Sequence, residues 1–403
     1  MHQISKNDKQ LITVPKADGT FIQADMVNNW DEEKWMKEFR FLSEAEMHYL
    51  VLASPDKLAK GVVDMCLKTA QKSGFKVFLG IQYDDAWWKK GSKDKAWLFE
   101  QMKIGCRIAD NLFEKYHRKY PDSFYGWYFA YEVDNIKFNR REKFKMLAEA
   151  LDILLKHLRI NGHRLPIMLS PFMRSAWGKA RDYAENWAWL FNATELGEGD
   201  IFCPQDSVGG GGLKINELDE WFRELKKAVD TKPGLLFWAN TENFEHRYWS
   251  SAPLNRFLQQ MKIVSKYVDN IITFSYSHYY SPNNIDGRLH EMYLDYLKNG
   301  SLQEAEFKPP EKLTVKRIGL VHRITWEEPD NPTGIFGYEL FRNGKKVFGS
   351  YEQRIYGGKS QGKVRSFVDR NILKWRPWGI VYEVRTVDYA GNASKKIKGR
   401  VFF

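Results

Sequence analysis

Short apolar runs alternate with long amphipathic segments over the first 300 residues of the chain. The runs are rich in β-branched and aromatic residues, as expected for buried strands, and the segments between them repeat apolar positions every three or four residues, as helices do. Gly74 and Asn161 follow two of these segments, where a left-handed residue commonly ends a helix. The pattern predicts strands near residues 21–24, 49–53, 77–81, 126–131, 165–169, 200–203, 235–239 and 271–276.

Eight strands that are each followed by a helix are typical of a (β/α)₈ barrel, the TIM barrel. A doubly wound open sheet is the alternative, but no glycine-rich dinucleotide fingerprint follows the first strand. After Pro309 and Pro310 the pattern changes to strands without helices. We therefore predict an α/β protein in three parts, with the barrel at 1–304, a linker at 305–311 and an all-β sandwich at 312–403.

The predicted sandwich resembles a fibronectin type III domain. The resemblance rests on Trp326, the segment "GYELFRNGK", and Tyr382 followed by "VDYAGNAS". Asn343 and Gly344 are residues typical of a two-residue hairpin turn. Domains of that family commonly act as spacers or adhesion surfaces, so the resemblance implies that this part contributes no chemistry. Most of the net charge of +11 lies here, which indicates a solvated basic surface or, as a second interpretation, contact with an acidic polymer.

Composition narrows the class of protein. A hydrophobic fraction of 43% and an aromatic fraction of 15% indicate a globular chain rich in rings. No apolar stretch reaches the roughly 18 to 20 residues that cross a bilayer, so no transmembrane segment is expected. The start, "MHQISKNDKQ", lacks the apolar core of a signal peptide. The protein is either cytoplasmic or has lost a preceding signal peptide, and we expect the second, with a secreted, periplasmic or cell-surface location.

Polar and aromatic residues follow the predicted strands. A TIM barrel builds its active site from the C-terminal ends of its strands and the loops after them. Aromatic rings there suit a carbohydrate, because they stack on the apolar faces of pyranose rings. Asp134 has a second interpretation as a cap, Asp84 as an ordinary loop acid and His278 as a structural hydrogen-bond partner. The predicted substrate-binding residues are Gln23, Asp25, Gln82, Tyr83, Asp84, Trp87, Trp88, Tyr131, Asp134, Gln205, Asp206, Asn240, Tyr276 and His278.

Glu132 and Glu242 close the predicted fourth and seventh strands. Cleavage of a glycosidic bond uses two carboxyl groups, one that protonates the leaving oxygen and one that attacks the sugar or activates water. The arrangement resembles clan A of the glycoside hydrolases, although Tyr131 stands where that clan usually has Asn. The resemblance implies Glu132 as the general acid/base and Glu242 as the nucleophile of a retaining reaction. Retention predicts carboxyl groups roughly 5 to 5.5 Å apart, whereas inversion predicts roughly 6.5 to 9.5 Å.

A closer resemblance covers about residues 19–299. The stretches "GWYFAYEVD", "PQDSVG" and "WANTENF" resemble those of a family of bacterial TIM-barrel proteins of unknown function that are grouped with the glycoside hydrolases. The resemblance implies that Glu132, Gln205, Asp206 and Glu242 lie in the active site. It does not supply a substrate.

The sequence thus predicts a glycosidase, a hydrolase of carbohydrate metabolism that degrades an oligo- or polysaccharide. No cofactor, metal or nucleic-acid partner is expected. A carbohydrate-binding barrel without catalysis is the alternative. A third class, a cytoplasmic enzyme acting on a phosphorylated metabolite, would need a phosphate site on the rim, for which only the run "VGGGG" is a candidate; we favour a flexible loop over the site for that run.

Overall fold

The computed structural model describes residues 14–54, 58–160, 164–246, 249–302, 308–332, 334–351, 365–370 and 379–401. Eight parallel strands close into a TIM barrel in the order β1-β10-β7-β6-β5-β4-β3-β2, so the predicted fold class is confirmed. β8 and β9 form a small hairpin outside the barrel. The strands are β1 (Gly19–Ile22), β2 (Tyr49–Leu52), β3 (Lys76–Gly80), β4 (Phe124–Phe129), β5 (Ile167–Leu169), β6 (Ile201–Phe202), β7 (Leu236–Glu242), β8 (Phe244–Glu245), β9 (Ser250–Ser251) and β10 (Asn270–Phe274).

The helices between the strands each bury one face. For example, α3 buries Cys66, Leu67 and Ala70 and ends at Gly74, whose φ of 74° lies in the left-handed region that favours glycine. The end predicted at Asn161 lies outside the described residues. The helices are α1 (Ala24–Val27), α2 (Glu32–Glu44), α3 (Val62–Ser73), α4 (Trp87–Lys90), α5 (Lys95–Tyr116), α6 (Arg141–Ile160), α7 (Ala180–Ala193), α8 (Leu218–Val229), α9 (Leu254–Val264), α10 (Tyr276–Tyr279) and α11 (Arg288–Asn299).

Side chains from alternate strand positions fill the inside of the barrel. Phe21, Phe78, Met168, Trp238 and Ile272 belong to one buried cluster there. The positions between them face outward and pack against the helices in a larger core. Because the interior is filled, a ligand reaches the barrel at one of its ends.

Two antiparallel sheets follow the barrel and enclose a separate core. Their order is β11-β12-β15 in one sheet and β14-β13-β16-β17 in the other. Trp326, Tyr338 and Tyr382 lie in the core that they enclose. The predicted hairpin turn, Asn343 and Gly344, joins the strands Ile335–Arg342 and Lys345–Tyr351, and both of its residues have positive φ. The strands are β11 (Leu313–Ile318), β12 (Val321–Trp326), β13 (Ile335–Arg342), β14 (Lys345–Tyr351), β15 (Ser366–Asp369), β16 (Ile380–Asp388) and β17 (Ile397–Val401).

The all-β part docks on the start of α9. The N–H groups of Leu254 and Asn255 donate to the carbonyl oxygens of Tyr389 and Ala390 at 2.9 and 2.8 Å. The Arg288 guanidinium lies 4.6 Å from the centre of the Tyr389 ring. Helix N–H groups that would otherwise need water are thus satisfied by the turn between β16 and β17. The domain boundary and linker stay predictions, because residues 303–307 lie outside the described part.

No helix among the described residues combines the length and the apolar character that crossing a bilayer requires.

Candidate active site

An open cleft of about 410 Å³ lies at the C-terminal end of the barrel. Its walls come from seven of the eight barrel strands and the loops after them. This is the end at which TIM-barrel enzymes carry their active sites. The lining residues are Phe21, Gln23, Ala53, Ser54, Tyr83, Trp88, Tyr128, Ala130, Glu132, Gln205, Asn240, Phe244, Trp249 and Phe274.

Glu132 reaches this cleft through the alternation of side chains along β4. Tyr128 points into the barrel, where its ring packs against Phe21 with centroids 5.2 Å apart. Ala130 and Glu132 follow at intervals of two residues and line the cleft above it. The carbonyl oxygen of Glu132 accepts a hydrogen bond from the Trp87 indole N–H at 2.8 Å. The buried indole therefore fixes the backbone from which the Glu132 side chain extends.

Among the described residues, Gln205 is the direct hydrogen-bond partner of the Glu132 carboxyl group. Gln205 Nε2 donates to Glu132 Oε2 at 2.8 Å and to the Ser170 carbonyl oxygen at 3.2 Å. Burial raises the pKa of Glu132 to about 7, and the charge of Asp134 adds to this, while the Gln205 bond and Lys137 oppose it. Glu132 therefore exchanges its proton near neutral pH.

Glu242, the last residue of β7, is only 1% exposed and is not among the residues that line the cleft. Residues 209–212, which we call the glycine segment, lie over it. Gly210 N–H donates to Glu242 Oε2 at 2.5 Å. A Cβ atom on Gly209 would stand 2.9 Å from Glu242 Cβ, and one on Gly210 would stand 2.8 Å from a ring carbon of Phe172. Only glycine fits such a close approach.

Asp206 shares this buried environment with Glu242. Its Oδ1 accepts the N–H groups of Glu242 and Val208 at 3.3 and 3.1 Å, and its Oδ2 accepts Gln260 Nε2 at 2.5 Å. Burial raises the pKa of Asp206 to about 6. Burial and the neighbouring Asp206 charge raise the pKa of Glu242 well above its usual value, against the Gly210 bond and Arg256. Burial and their mutual repulsion thus disfavour two charges on the pair, so its two carboxyl groups titrate as one coupled unit.

Helix α9 holds the end of β7 from behind. Arg256 and Gln260 lie one turn apart on the helix, and Arg256 Nη2 and Gln260 Nε2 donate to the Glu242 carbonyl oxygen at 3.1 and 2.9 Å. The same helix receives the all-β part at its first turn, through Leu254 and Asn255. The N-terminal half of α9 thus contacts both that part and the Glu242 backbone.

The structure brings five of the fourteen predicted substrate-binding residues to the cleft wall: Gln23, Tyr83, Trp88, Gln205 and Asn240. The side-chain oxygens Gln23 Oε1 and Asn240 Oδ1 are buried and accept no hydrogen bond from any described residue. Buried amide oxygens are normally paired, so these two are acceptors that lack a described donor at the cleft wall.

Four more of the predicted residues lie outside the cleft wall, beside β3 and β4. Trp87 is buried and stacks on Tyr131, with centroids 4.8 Å apart. Gln101 accepts hydrogen bonds from Gln82 Nε2 and from the Tyr131 hydroxyl, both at 2.9 Å. Asp84 accepts the Ala86 N–H at 2.8 Å, the local loop role that was its second interpretation. None of these four residues lines the cleft, so their predicted contact with a substrate stays a prediction.

The remaining predicted residues also have structural partners or lie on the surface. Asp134 Oδ1 accepts the N–H of Ile136 at 2.9 Å, as its interpretation as a cap expected, and Tyr276 pairs with His290 at 2.8 Å. The ring of His278 accepts the Gln23 N–H at 3.3 Å and so contacts a cleft residue without lining the cleft. Asp25 is exposed on α1 and Asp206 is buried next to Glu242, and neither of them lines the cleft.

Five aromatic residues of the wall were not among the sequence candidates: Phe21, Tyr128 and Phe274 within barrel strands, and Phe244 and Trp249 after the seventh barrel strand. Phe244 lies in β8, two residues after Glu242, and Trp249 lies between β8 and β9. Their rings are nearly parallel, 5.7 Å apart with an interplanar angle of 5°. Phe244 and Trp249 could have been predicted from the sequence, since both follow the seventh barrel strand and TIM-barrel active sites are built from the residues after the strands.

Within the described part of the chain, no group of three or more His, Cys, Asp or Glu side chains is arranged to hold a metal ion. The glycine run that could have cradled a phosphate instead directs the Gly210 N–H at the Glu242 carboxyl group.

Residues 17–286 match the family described as a domain of unknown function, DUF4434. The chain belongs to this family. A comparison with curated proteins finds no match. The family therefore names no reaction for this barrel.

Solved structures that resemble this DUF4434 protein have low identity to it. A β-galactosidase from the psychrophilic Marinomonas ef1 is 10% identical, with 64% of this chain and 54% of that chain covered and a TM-score of 0.43. A psychrophilic family 10 endo-β-1,4-xylanase is 12% identical over 70% and 96%, with a TM-score of 0.44. The β-amylase catalytic domain from Paenibacillus polymyxa is 9% identical over 72% and 100%, also with a TM-score of 0.44. This chain spans about half the length of the β-galactosidase.

Proposed function

We propose that the protein is a glycoside hydrolase that cleaves an oligo- or polysaccharide. The observation that carries the proposal is Glu132, whose carboxyl group faces an open cleft and whose pKa burial raises to about 7. A carboxylic acid with a pKa near the working pH can give its proton to a leaving oxygen and then remove one from water. Glycosidic bond cleavage requires both steps.

The rest of the cleft wall supports a sugar as the ligand. Trp88 and Trp249 expose 41% and 48% of their surface, which rings that only fill a core do not. Gln23 and Asn240 of the same wall each have a side-chain acceptor oxygen without a described donor. Sugars combine apolar ring faces with hydroxyl donors, so the wall matches both of their surfaces.

Glu242 is the nucleophile in this proposal. Glu132 protonates the glycosidic oxygen while a Glu242 oxygen bonds to the anomeric carbon and the leaving sugar departs as an alcohol. Water then attacks that carbon, gives its proton to Glu132 and releases Glu242. The glycine segment covers Glu242, so it must move before the first step. Its movement would hydrate the carboxyl group, lower its pKa and favour the ionised form that attacks.

A carbohydrate-binding barrel without catalysis is the second candidate. It is favoured by one observation: among the described residues that line the cleft, Glu132 is the only carboxylic acid. A binding protein needs no second carboxyl group, whereas a hydrolase needs Glu242 to become accessible.

Hydrolysis of a panel of glycans by the wild type, Glu132→Gln and Glu142→Gln separates the two candidates. Glu142 is an exposed glutamate in the first turn of α6 and serves as the control. The hydrolase proposal expects products from the wild type and Glu142→Gln and a loss of about 10²- to 10⁴-fold in Glu132→Gln. Binding of a glycan without products from any of the three proteins would favour the binding barrel.

The remaining parts of the proposal concern the whole chain. The two antiparallel sheets and their shared core support a fibronectin type III-like module at residues 312–403.

We propose that the enzyme is located outside the cytoplasm, secreted, periplasmic or at the cell surface, because polysaccharides are too large to be taken up intact. Fractionation of producing cells tests the location, and recovery in the cytoplasm would contradict it.

A further inference from the structure

We propose that the cleft binds a glycan chain on two aromatic platforms, one on each side of Glu132, so that an internal bond of the chain lies at the acid. The cleavage at that internal bond rests on the proposed function. The binding of the chain does not, and it can be tested separately.

The topology of the barrel places the two platforms opposite each other. Counted in either direction around the closed sheet, β3 and β7 are four strands apart. Trp88 lies on α4, after β3, and Trp249 lies in the connection after β7. Both line the same cleft as Glu132, which follows β4. A chain that contacts both rings therefore crosses the mouth of the barrel, where Glu132 lines the same cleft.

The Trp88 platform has a fixed ring orientation. The indole N–H donates to the Tyr83 hydroxyl at 2.9 Å, and the Lys137 ammonium lies 4.2 Å from the ring centre. The ring is 41% exposed despite these contacts. An oriented, exposed ring loses little freedom when a pyranose ring stacks on it.

The Trp249 platform is the outer ring of a stack of three. Phe244 lies between Trp249 and Tyr279 and is nearly parallel to both, at 5.7 and 5.5 Å with angles of 5° and 17°. The backbone of Trp249 has a φ of 46°, which is uncommon for a bulky residue. Such conformations persist where the surroundings hold them and occur often at ligand-binding positions.

A third exposed tryptophan offers a matched control. Trp177, in the loop after β5, is 60% exposed but does not line the cleft. Its substitution removes the same side chain from the same rim without touching either platform.

The test measures binding in the Glu132→Gln background by titration calorimetry. The probes are cellohexaose, xylohexaose, mannohexaose and chitohexaose, each paired with its disaccharide. We expect at least one hexasaccharide to bind, and Trp88→Ala and Trp249→Ala each to weaken it about tenfold or more. We expect Trp177→Ala to leave the affinity unchanged, and the disaccharide to depend on one platform only.

The outcomes separate this inference from the proposed function. Absence of hexasaccharide binding, or equal effects of all three tryptophan substitutions, overturns the two-platform inference. Binding that depends on both platforms but gives no products with the wild type supports the inference and overturns the hydrolase. Products released only as single units from a chain end support the hydrolase and overturn cleavage at an internal bond.

Discussion

Glu132 and Glu242 lie at the ends of two strands of the same barrel, yet their surroundings differ. Glu132 faces the cleft, where its carboxyl group accepts a hydrogen bond from Gln205. Glu242 is buried beneath the glycine segment beside a second acid, Asp206. The difference arises in the loop after β6 rather than in either strand. In the proposed mechanism, the two carboxyl groups can therefore act together only after the glycine segment moves.

The largest expected effect concerns Glu242. If it is the nucleophile, Glu242→Gln lowers the rate of glycan hydrolysis at least about 10³-fold, because no covalent intermediate can form. The matched control is Glu142→Gln, at the exposed glutamate of α6, which should keep the wild-type rate. Rates are measured on whichever glycan the wild type cleaves. Equal rates for Glu242→Gln and the wild type would leave Glu132 without its proposed partner.

The burial of Glu132 predicts that stability depends on pH. Its pKa is about 7 when folded, against about 4.5 when unfolded, so the folded state binds the proton more tightly. The contribution of Glu132 to the free energy of unfolding is greatest below pH 4.5 and falls by up to about 3 kcal/mol as the pH rises through 7.

Urea unfolding at pH 5 and pH 8 checks this prediction. We expect the decrease between the two pH values to be smaller in Glu132→Gln than in the wild type, and unchanged in Glu142→Gln. The same decrease in all three proteins would mean that the Glu132 carboxyl group is not desolvated.

The close packing of the glycine segment gives the third prediction. In Gly210→Ala the new methyl group meets the Phe172 ring at 2.8 Å, so we expect a loss of about 1 to 3 kcal/mol in the free energy of unfolding. Gly197→Ala is the control, because nothing lies within 4 Å of its Cβ position. Equal stabilities of the two variants would contradict the close contact over Glu242.

The smallest effect concerns the hydrogen bond from Gln205 to Glu132. That bond lowers the pKa of Glu132, so its removal in Gln205→Leu should raise the pKa. The alkaline limb of the pH–rate profile then moves to higher pH, because Glu132 keeps its catalytic proton longer. A limb that stays in place or moves to lower pH would show that Gln205 does not act through Glu132.

The barrel could be predicted from the sequence because its strands are buried on both sides and so form continuous apolar runs. The position of Glu132 could also be predicted, since the residues just after a barrel strand lie at the end where TIM barrels carry their active sites. The sequence could not show which of Trp87 and Trp88 lines the cleft, because the short helix α4 directs the Trp87 ring into the core and the Trp88 ring to the cleft. Two adjacent rings of the same type carry no signal that separates them.

The sequence likewise could not predict that the glycine segment covers Glu242 or that the all-β part docks on α9. Both depend on contacts between segments that are distant in the sequence, Gly210 with Glu242 and Asn255 with Ala390. The glycine run indicated a loop over the site, but not which carboxyl group it would cover. The spacer role implied for the all-β part did not include its bonds to α9, the helix that holds the end of β7.

The central claim is that Glu132 acts as the acid that protonates the leaving group. The most direct test compares the wild type with Glu132→Gln on a natural glycan and on a 2,4-dinitrophenyl glycoside of the same sugar, whose leaving group needs no proton. We predict that Glu132→Gln loses about 10²- to 10⁴-fold in rate on the natural glycan and far less on the dinitrophenyl glycoside. Equal losses on both substrates, or no loss on the natural glycan, would contradict the claim.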